Sequence, residues 1–462
     1  MDDHSHAGAG LSFWHEDAGV DWGPKKVLDR DQQVDVAIVG AGYTGLWTAY
    51  YLAKADPSLR IAVLESEFVG FGASGRNGGW CSALFPATLR KVASTSSRDA
   101  AIRMQQAMNA TVREVGRVVV AEGIHCDFQA SGYLSAARNP AQRTRAQKEV
   151  AGWRDWGFGE DHIRLLETEE LTERVRISDA RGATFTPHCA TLQPAKLVRG
   201  LAEAVRAAGV QIYEDTRVRA LDGRRLDTTR GQVTADVVVR ATEGYTAQLP
   251  GARRDLVPMY SLMVATSPLP DAAWDEIGLR DRATFSDKRH LRIYGQRTAD
   301  DRFAFGGRGA PYHFASRVDP RFDRDDAVHA TLRRILVDLF PRLDGVEFTH
   351  AWGGNLGIPR DWFPSVTYDR RAGFAQAGGY VGDGVATANL AGRTLAAEIL
   401  DMDSELRTLP WVGRRSPKWE PEPLRWLGVN AGTLAFTFAD RTEQRSSRPS
   451  RLASGFWRAL GH

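Results

Sequence analysis

An uninterrupted apolar, β-branched run opens at Asp35 (DVAIV) and breaks into Gly40, Gly42 and Gly45. Its length and branching predict a buried parallel strand, and the amphipathic stretch from Tyr43 to Ala55 predicts the helix that follows it. A second apolar run, RIAVLE, closes at Glu65, twenty residues beyond Gly45. Further along, TLQPAKLVRGLAEAVRAAGVQIYEDTRV reads as a helix starting near Pro194, a stop at Gly209, and a strand QIYEDTRV. TADVVVRAT, Thr234 to Thr242, is another buried strand and delivers Gly244 to the carboxyl edge of the predicted sheet, where ligands gather in open α/β folds. From Val257 to about Phe348 the pattern changes to short alternating stretches (SLMVATS, HLRIYGQRT, RFAFGGRG), which predict antiparallel strands. One helix interrupts them, from Arg324 to Phe340, with Val328, Leu332, Ile335, Leu336 and Leu339 at helical spacing.

The glycines of the first unit point to a dinucleotide. Gly40 permits the tight turn, Gly42 lets main chain approach a pyrophosphate, Gly45 lets the helix pack on the strand, and Glu65 accepts a hydrogen bond from a ribose hydroxyl. The preceding strand, the following helix and the acid at this distance make the glycine pattern specific. After Glu65 the chain does not enter an ordinary crossover helix, as a nicotinamide domain would. It continues SEFVGFGASGRNGGWCS, with Gly70, Gly72, Gly75, Gly78 and Gly79 crowded around Ser74, Arg76 and Asn77. Main chain that bare predicts close contact with a large flat object such as an isoalloxazine ring; a flexible glycine loop is the alternative. In GGYVGDGVATANLAGR, Gly382 and Gly384 flank Asp383 ahead of a helix whose N-terminus would stabilise negative charge at the pyrimidine edge of such a ring.

GAGYTG with Glu65, GASGRNGG, and GGYVGDGVATANLAGR together resemble the D-amino-acid oxidase superfamily of FAD-dependent amine oxidoreductases. ATEGYT, VPMYSLMVATSPLP and FAFGGRG resemble its gamma-glutamylputrescine oxidase-like branch, and the similarity spans most of Asp35 to Leu400. The resemblance implies an α/β (α+β two-domain) protein in which a Rossmann-like FAD-binding domain carries a mostly antiparallel substrate domain. It implies FAD contacts at Gly40, Gly42, Gly45, Glu65, Ser74, Gly75, Arg76, Asn77, Gly78, Gly79, Gly244, Gly379, Tyr380, Gly382 and Gly384, with Val218 beside the adenine. The implied reaction is oxidation of an amine C–N bond by hydride transfer to flavin, giving an imine that water hydrolyses, with oxygen or another acceptor reoxidising the flavin. Sarcosine and D-amino-acid-type substrates are the alternative.

Trp352, Tyr260 and Arg76 are the candidate catalytic residues, and Trp80, Tyr260, Tyr294 and Trp352 are candidate walls of the substrate pocket. Asp361 and Arg308 are candidates for orienting main chain and for binding a substrate carboxylate. His290 and His313 read as surface or core residues, and Asn389 and Arg393 as packing or surface residues. Two departures from the family stand out. VPMYSLMV lacks the lysine that promotes reaction with oxygen in some members, and Trp80 stands near where others carry a histidine bonded to FAD, so the FAD is expected to be noncovalent despite neighbouring Cys81.

Composition narrows the picture. The 462 residues require more than one domain. The assignment is FAD-binding domain at 34–90, 188–256 and 349–400, substrate domain at 91–187 and 257–348, an N-terminal extension at 1–33, and a helical C-terminal extension at 401–462 ending in a basic tail of disordered composition from Arg441 to Ser454. Lys and Arg exceed Asp and Glu by 60 to 57, which gives no reason to invoke nucleic acid. Cys81, Cys126 and Cys189 have neither disulfide-framework nor metal spacing, and no run has membrane-spanning length, so a cytoplasmic location is expected and no metal. The rivals are a nicotinamide-dependent dehydrogenase or flavin hydroxylase, and a non-catalytic flavin-binding protein that docks through the region of Trp411, Trp419 and Trp426.

Overall fold

The computed structural model describes residues 10–19, 25–448 and 450. The strand Gln32–Val39 lies at the centre of one sheet, parallel to Ile61–Leu64 on one side and to Gln232–Arg240 on the other. Gln211–Tyr213 extends the parallel set beyond Ile61–Leu64, and Phe374–Gly378 extends it beyond Gln232–Arg240. Ser365–Asp369 closes that edge antiparallel, and the strands Val218–Asp222 and Arg225–Thr228 form a hairpin beside Gln232–Arg240. Helices Tyr43–Ala55, Arg98–Ala121, Pro194–Ala207 and Gly384–Ile399 bury their apolar faces in the core of this layer. At Gly45 the helix Tyr43–Ala55 sits so close to its own turn that a Cβ would lie 2.0 Å from the Gly40 carbonyl oxygen.

The second sheet runs in the order Phe348–Ile358, Val257–Thr266, Phe303–Gly307, Ile293–Arg297, Thr284–Asp287, Tyr133–Ala136, Ala183–Thr186, Arg164–Leu166. All its pairs are antiparallel except Thr284–Asp287 with Tyr133–Ala136. Its core packs Phe285, Phe303, Phe305 and Phe340 under the helix Asp326–Leu339, which Asp325 caps.

Several elements differ from the sequence reading. The expected strand QIYEDTRV divides into Gln211–Tyr213 and Val218–Asp222, because Asp215 is left-handed (φ 47°) and Glu214 turns inward to accept the Val69 N–H at 2.7 Å. The strand Phe348–Ile358 pairs with Val257–Thr266, so the second sheet reaches past the expected boundary at 348. Helix Arg98–Ala121, expected with the substrate domain, packs in the core of the first layer. The helix Leu424–Ser446 runs through Arg441 and Arg445, where a disordered composition was read, since Asp440 accepts the N–H groups of His290 and Leu291. Arg451 and Arg458 lie outside the described residues. The N-terminal extension inserts: Phe13, Trp14 and His15 on the short helix Phe13–Asp17 are all buried.

Candidate active site

The carboxyl ends of the central strands open onto a cleft of about 520 Å³, lined by Val39, Gly40 and Gly42, by Glu65 and Val218, by Thr242 to Tyr245, and from across by Asn355, Leu356 and Tyr380. Two helices begin on it. Tyr43–Ala55 starts at Gly42 and Gly384–Ile399 starts at Asp383, and neither of these N-cap residues caps its helix with a side chain; apart from the Tyr43 N–H, which Ser74 accepts, both first turns leave amide N–H groups for an anionic or polar ligand. Glu65 accepts the N–H groups of Ala41 (2.8 Å) and Glu67 (3.1 Å) and, more weakly, the Ser66 hydroxyl (3.4 Å), bracing the glycine turn and leaving a lone pair on the oxygen that bonds Ala41 for a hydroxyl group. Asn355 is the sharpest sign of a ligand. It is 2% exposed, lines the cleft, and neither its amide nitrogen nor its oxygen has a protein partner. Such a donor–acceptor pair is rarely left unsatisfied inside a protein and matches the edge of a heterocycle. Together with the two helix N-termini, these residues fit a flavin dinucleotide.

Glu243 braces the far wall. Its backbone is left-handed (φ 39°), and its carboxylate accepts the N–H groups of Gly379 (2.8 Å) and Tyr380 (3.0 Å). Desolvation pushes this carboxyl up to about 7 in spite of those bonds. A carboxyl raised above its unfolded value adds stability that is full at acid pH and is lost as pH rises through 7. Allowing for water in the cleft, the loss is about 2 kcal/mol. Denaturant unfolding as a function of pH checks this: between the ordinary carboxylate range and neutrality, wild type should lose that increment relative to Glu243→Gln, whose side chain does not titrate.

A second cavity, of about 640 Å³, shares Ala73, Asn77, Leu356, Gly382 and Val385 with the cleft, so the two are contiguous across the GASGRNGG loop. Three side chains grip that loop from behind. The indole of Trp352 donates to the Arg76 carbonyl (3.0 Å), that of Trp14 to the Asn77 carbonyl (2.8 Å), and the Gln296 amide to the Gly78 carbonyl (2.8 Å). Because peptide planes are rigid, drawing the first two carbonyls back presents the N–H groups of Asn77 and Gly78 on the opposite side. The glycines serve a different contact from the one expected. A Cβ on Gly75 would meet the Gly70 carbonyl and His15, one on Gly78 would meet Tyr294, and one on Gly79 would meet Gln296 and the Leu192 carbonyl. Gly75, Gly79, Gly45 and Gly379 line neither cavity. His15, beside Arg76, is held neutral, pushed down to about 3 by burial and by that guanidinium.

The candidate catalytic residues scatter. Arg76 borders the second cavity, but its guanidinium is committed to Asp323 (2.7 Å), to the Tyr245 hydroxyl (2.9 Å) and to the face of Phe71. Tyr260 lines the cleft and bonds the main chain of Asp319. Trp352 is buried behind the loop with Phe13 and Trp14 and touches neither cavity. Trp80 and Tyr294 do line the second cavity, with Tyr133, and the Trp80 indole N–H has no protein acceptor. Ser74 lines the cleft and accepts the Tyr43 N–H (2.8 Å).

Arg308 is the distinctive charge of this chamber. It donates to the Val381 carbonyl and lies over Trp362, and among the described residues no carboxylate is within ion-pair distance of it. Desolvation, then repulsion from Arg292 at the rim, pushes its pKa down to about 10, against the pull of Asp383. Three other cations that line the chamber are paired: Arg289 with Asp287, Lys288 with Glu149, Arg145 with Glu443. His290 stands at the rim, bonded to Glu443. His313 stacks on Phe322, Asp361 pairs with Arg414, and Asn389 and Arg393 bond Tyr51 and Thr111 between helices, all away from both cavities. Cys81 lies in the core, its thiol raised well above the ordinary value by burial.

Glu243, Asn355, Asp323 and Trp14 escaped the sequence reading, which named Asp383 without giving it a role. Asn355 alone carried a local signal, as a polar residue after two glycines in an otherwise apolar strand.

The chain is 29% identical over 390 residues to the probable oxidoreductase OrdL of Rhizobium meliloti, covering 83% of this chain and 87% of that one. It is 29% identical over 391 residues to gamma-glutamylputrescine oxidoreductase of Escherichia coli, with the same coverage. Its fold matches the crystal structure of glycine oxidase from Geobacillus kaustophilus at a TM-score of 0.69 and 23% identity, over 84% of this chain and all of that one. A family model described as FAD dependent oxidoreductase matches residues 35–398, and the chain therefore belongs to the FAD-dependent oxidoreductase family typified by D-amino-acid oxidase.

Proposed function

We propose that this enzyme oxidises the C–N bond of a primary or secondary amine that also carries an acid group, gamma-glutamylputrescine-like or amino acid-like. The observation that carries the reading is Arg308, a desolvated guanidinium without an ion pair, in a chamber contiguous with the dinucleotide cleft. Such a group is costly to leave alone and is suited to a carboxylate. The names of two relatives, gamma-glutamylputrescine oxidoreductase and glycine oxidase, support an amine bearing a carboxyl group. The volume of about 640 Å³ favours an extended molecule over one the size of glycine.

FAD, when bound, supplies the hydride acceptor, and water hydrolyses the imine that the substrate becomes. Gly42, Glu65, Asn355 and the N-terminus at Gly384 would hold it. The chain's own part is orientation and desolvation. Arg308 anchors the acid end, Trp80, Tyr133 and Tyr294 keep the amine end dry, and the N–H groups of Asn77 and Gly78 stand at the partition. Arg308 and Arg292 also disfavour an ammonium ion in the chamber, so the amine is bound neutral, as loss of hydride from its carbon requires.

Steady-state kinetics of Arg308→Met test this. KM for an acid-bearing amine is expected to rise roughly 100-fold, the loss of one charge-assisted contact, while KM for the same amine without the acid group changes little. An equal effect on both amines, or none on either, contradicts the reading.

A further inference from the structure

The C-terminal helix Leu424–Ser446 docks by one face alone. Arg425, Gly432, Phe436, Ala439 and Glu443 are its buried positions. Its acids are turned inward as well: Asp440 accepts the His290 and Leu291 N–H groups (2.7 and 2.8 Å), and Glu443 bonds Arg145 and His290 (2.7 and 2.8 Å). On the opposite face Leu427, Ala431, Leu434 and Phe438 recur every three or four residues, and Arg441 and Arg445 continue the same line. Leu427 is 53% exposed, Leu434 71% and Phe438 63%. Of the eight exposed large apolar side chains among the described residues, five are on this helix, and Phe314 adds a sixth from the loop that bonds to Glu422 and Asn430. That clustering marks a contact surface rather than scattered exposure.

We propose that this face seats the protein on an anionic lipid surface, with Leu427, Leu434 and Phe438 entering the headgroup boundary and Arg441 and Arg445 meeting lipid phosphates. The sorting of charge decides the occupant. Every carboxylate of the helix is spent on the protein, and the outward charges are both cationic, with no ion-pair partner among the described residues. A second copy of the helix would offer those arginines no exposed carboxylate, whereas an anionic bilayer offers phosphates beside an apolar layer. The seating is interfacial: no helix among the described residues is long and apolar enough to cross a membrane. Glu443 borders the amine chamber from the inner face of this helix, so a lipid-seated enzyme would hold the chamber's rim near the surface.

Vesicle co-sedimentation of the full-length, FAD-loaded protein tests the proposal. Binding is expected to vesicles of equal parts phosphatidylcholine and phosphatidylglycerol, to fall with added salt, and to be absent from phosphatidylcholine alone. Replacing Arg441→Gln together with Arg445→Gln should weaken it roughly 25-fold, about fivefold per arginine. Leu434→Gln with Phe438→Gln should abolish it. All four positions face solvent, and an unchanged flavin spectrum and melting temperature show that the variants are folded. No binding to anionic vesicles, or equal binding to both compositions, overturns the proposal. So does a stable dimer in solution that Leu434→Gln with Phe438→Gln dissociates while wild type ignores vesicles; that result assigns the face to a second copy.

Discussion

Asp323→Ala is expected to cost about 3–5 kcal/mol of folding stability and to release the cofactor. The Arg76 side chain is 1% exposed, and Asp323 is its ion-pair partner. Without that carboxylate the guanidinium keeps only neutral partners, the Tyr245 hydroxyl, the Gly72 carbonyl and the Phe71 face, and an enclosed cation without its counter-charge is among the costliest defects a fold can carry. Arg76 lies in the loop that divides the two cavities, so its displacement reaches the cleft directly. Urea unfolding and FAD titration of the same sample measure both effects. The pair Arg76→Met with Asp323→Leu should be markedly less damaging to stability than Asp323→Ala, since it removes charge and counter-charge together. An additive double variant would show that the two residues act independently.

Gly45→Ala is the second large effect. The added Cβ would lie 2.0 Å from the Gly40 carbonyl oxygen and 3.2 Å from both the Gly40 carbonyl carbon and an Ile38 methyl. Main chain cannot yield as a flexible side chain does, so the helix Tyr43–Ala55 must move off its strand and carry its N-terminus away from the cleft. The expected cost is about 3 kcal/mol or more, with loss of yellow colour on purification. Gly42→Ala provides the contrast. Its Cβ would lie 2.9 Å from the Ser74 hydroxyl, a group that can rotate, although that hydroxyl now accepts the Tyr43 N–H. Gly42→Ala should therefore fold and bind FAD weakly. Equal stability of the two variants would contradict the close-packing account of Gly45.

The dinucleotide half of the site was legible in the sequence because it is local. Strand, glycine turn, helix and acid follow one another within Asp35 to Glu65, and periodicity reports each of them. The amine half is assembled from distant pieces. Arg76 meets a carboxylate 247 positions away, and Asn77 is gripped by an indole 63 positions before it. Trp352 was read as a pocket wall because an aromatic in a strand beside a glycine pair has no mark of which layer it faces; the register with Met263 puts it behind the loop. Composition misjudged Arg441 and Arg445 for a related reason: counting charges does not reveal that Asp440 and Glu443 find partners about 150 positions earlier. Arg308 was named, but its facing depended on the strand Phe303–Gly307 ending just before it, which alternation alone left open.

The most direct test of a flavin cleft joined to an amine chamber is anaerobic mixing of the FAD-loaded protein with a panel of amines while flavin absorbance is followed. The geometry predicts bleaching by amines that carry an acid group, slower bleaching by their neutral analogues, and no bleaching by NADPH. Flavin that stays coloured with every amine and bleaches with NADPH would contradict it.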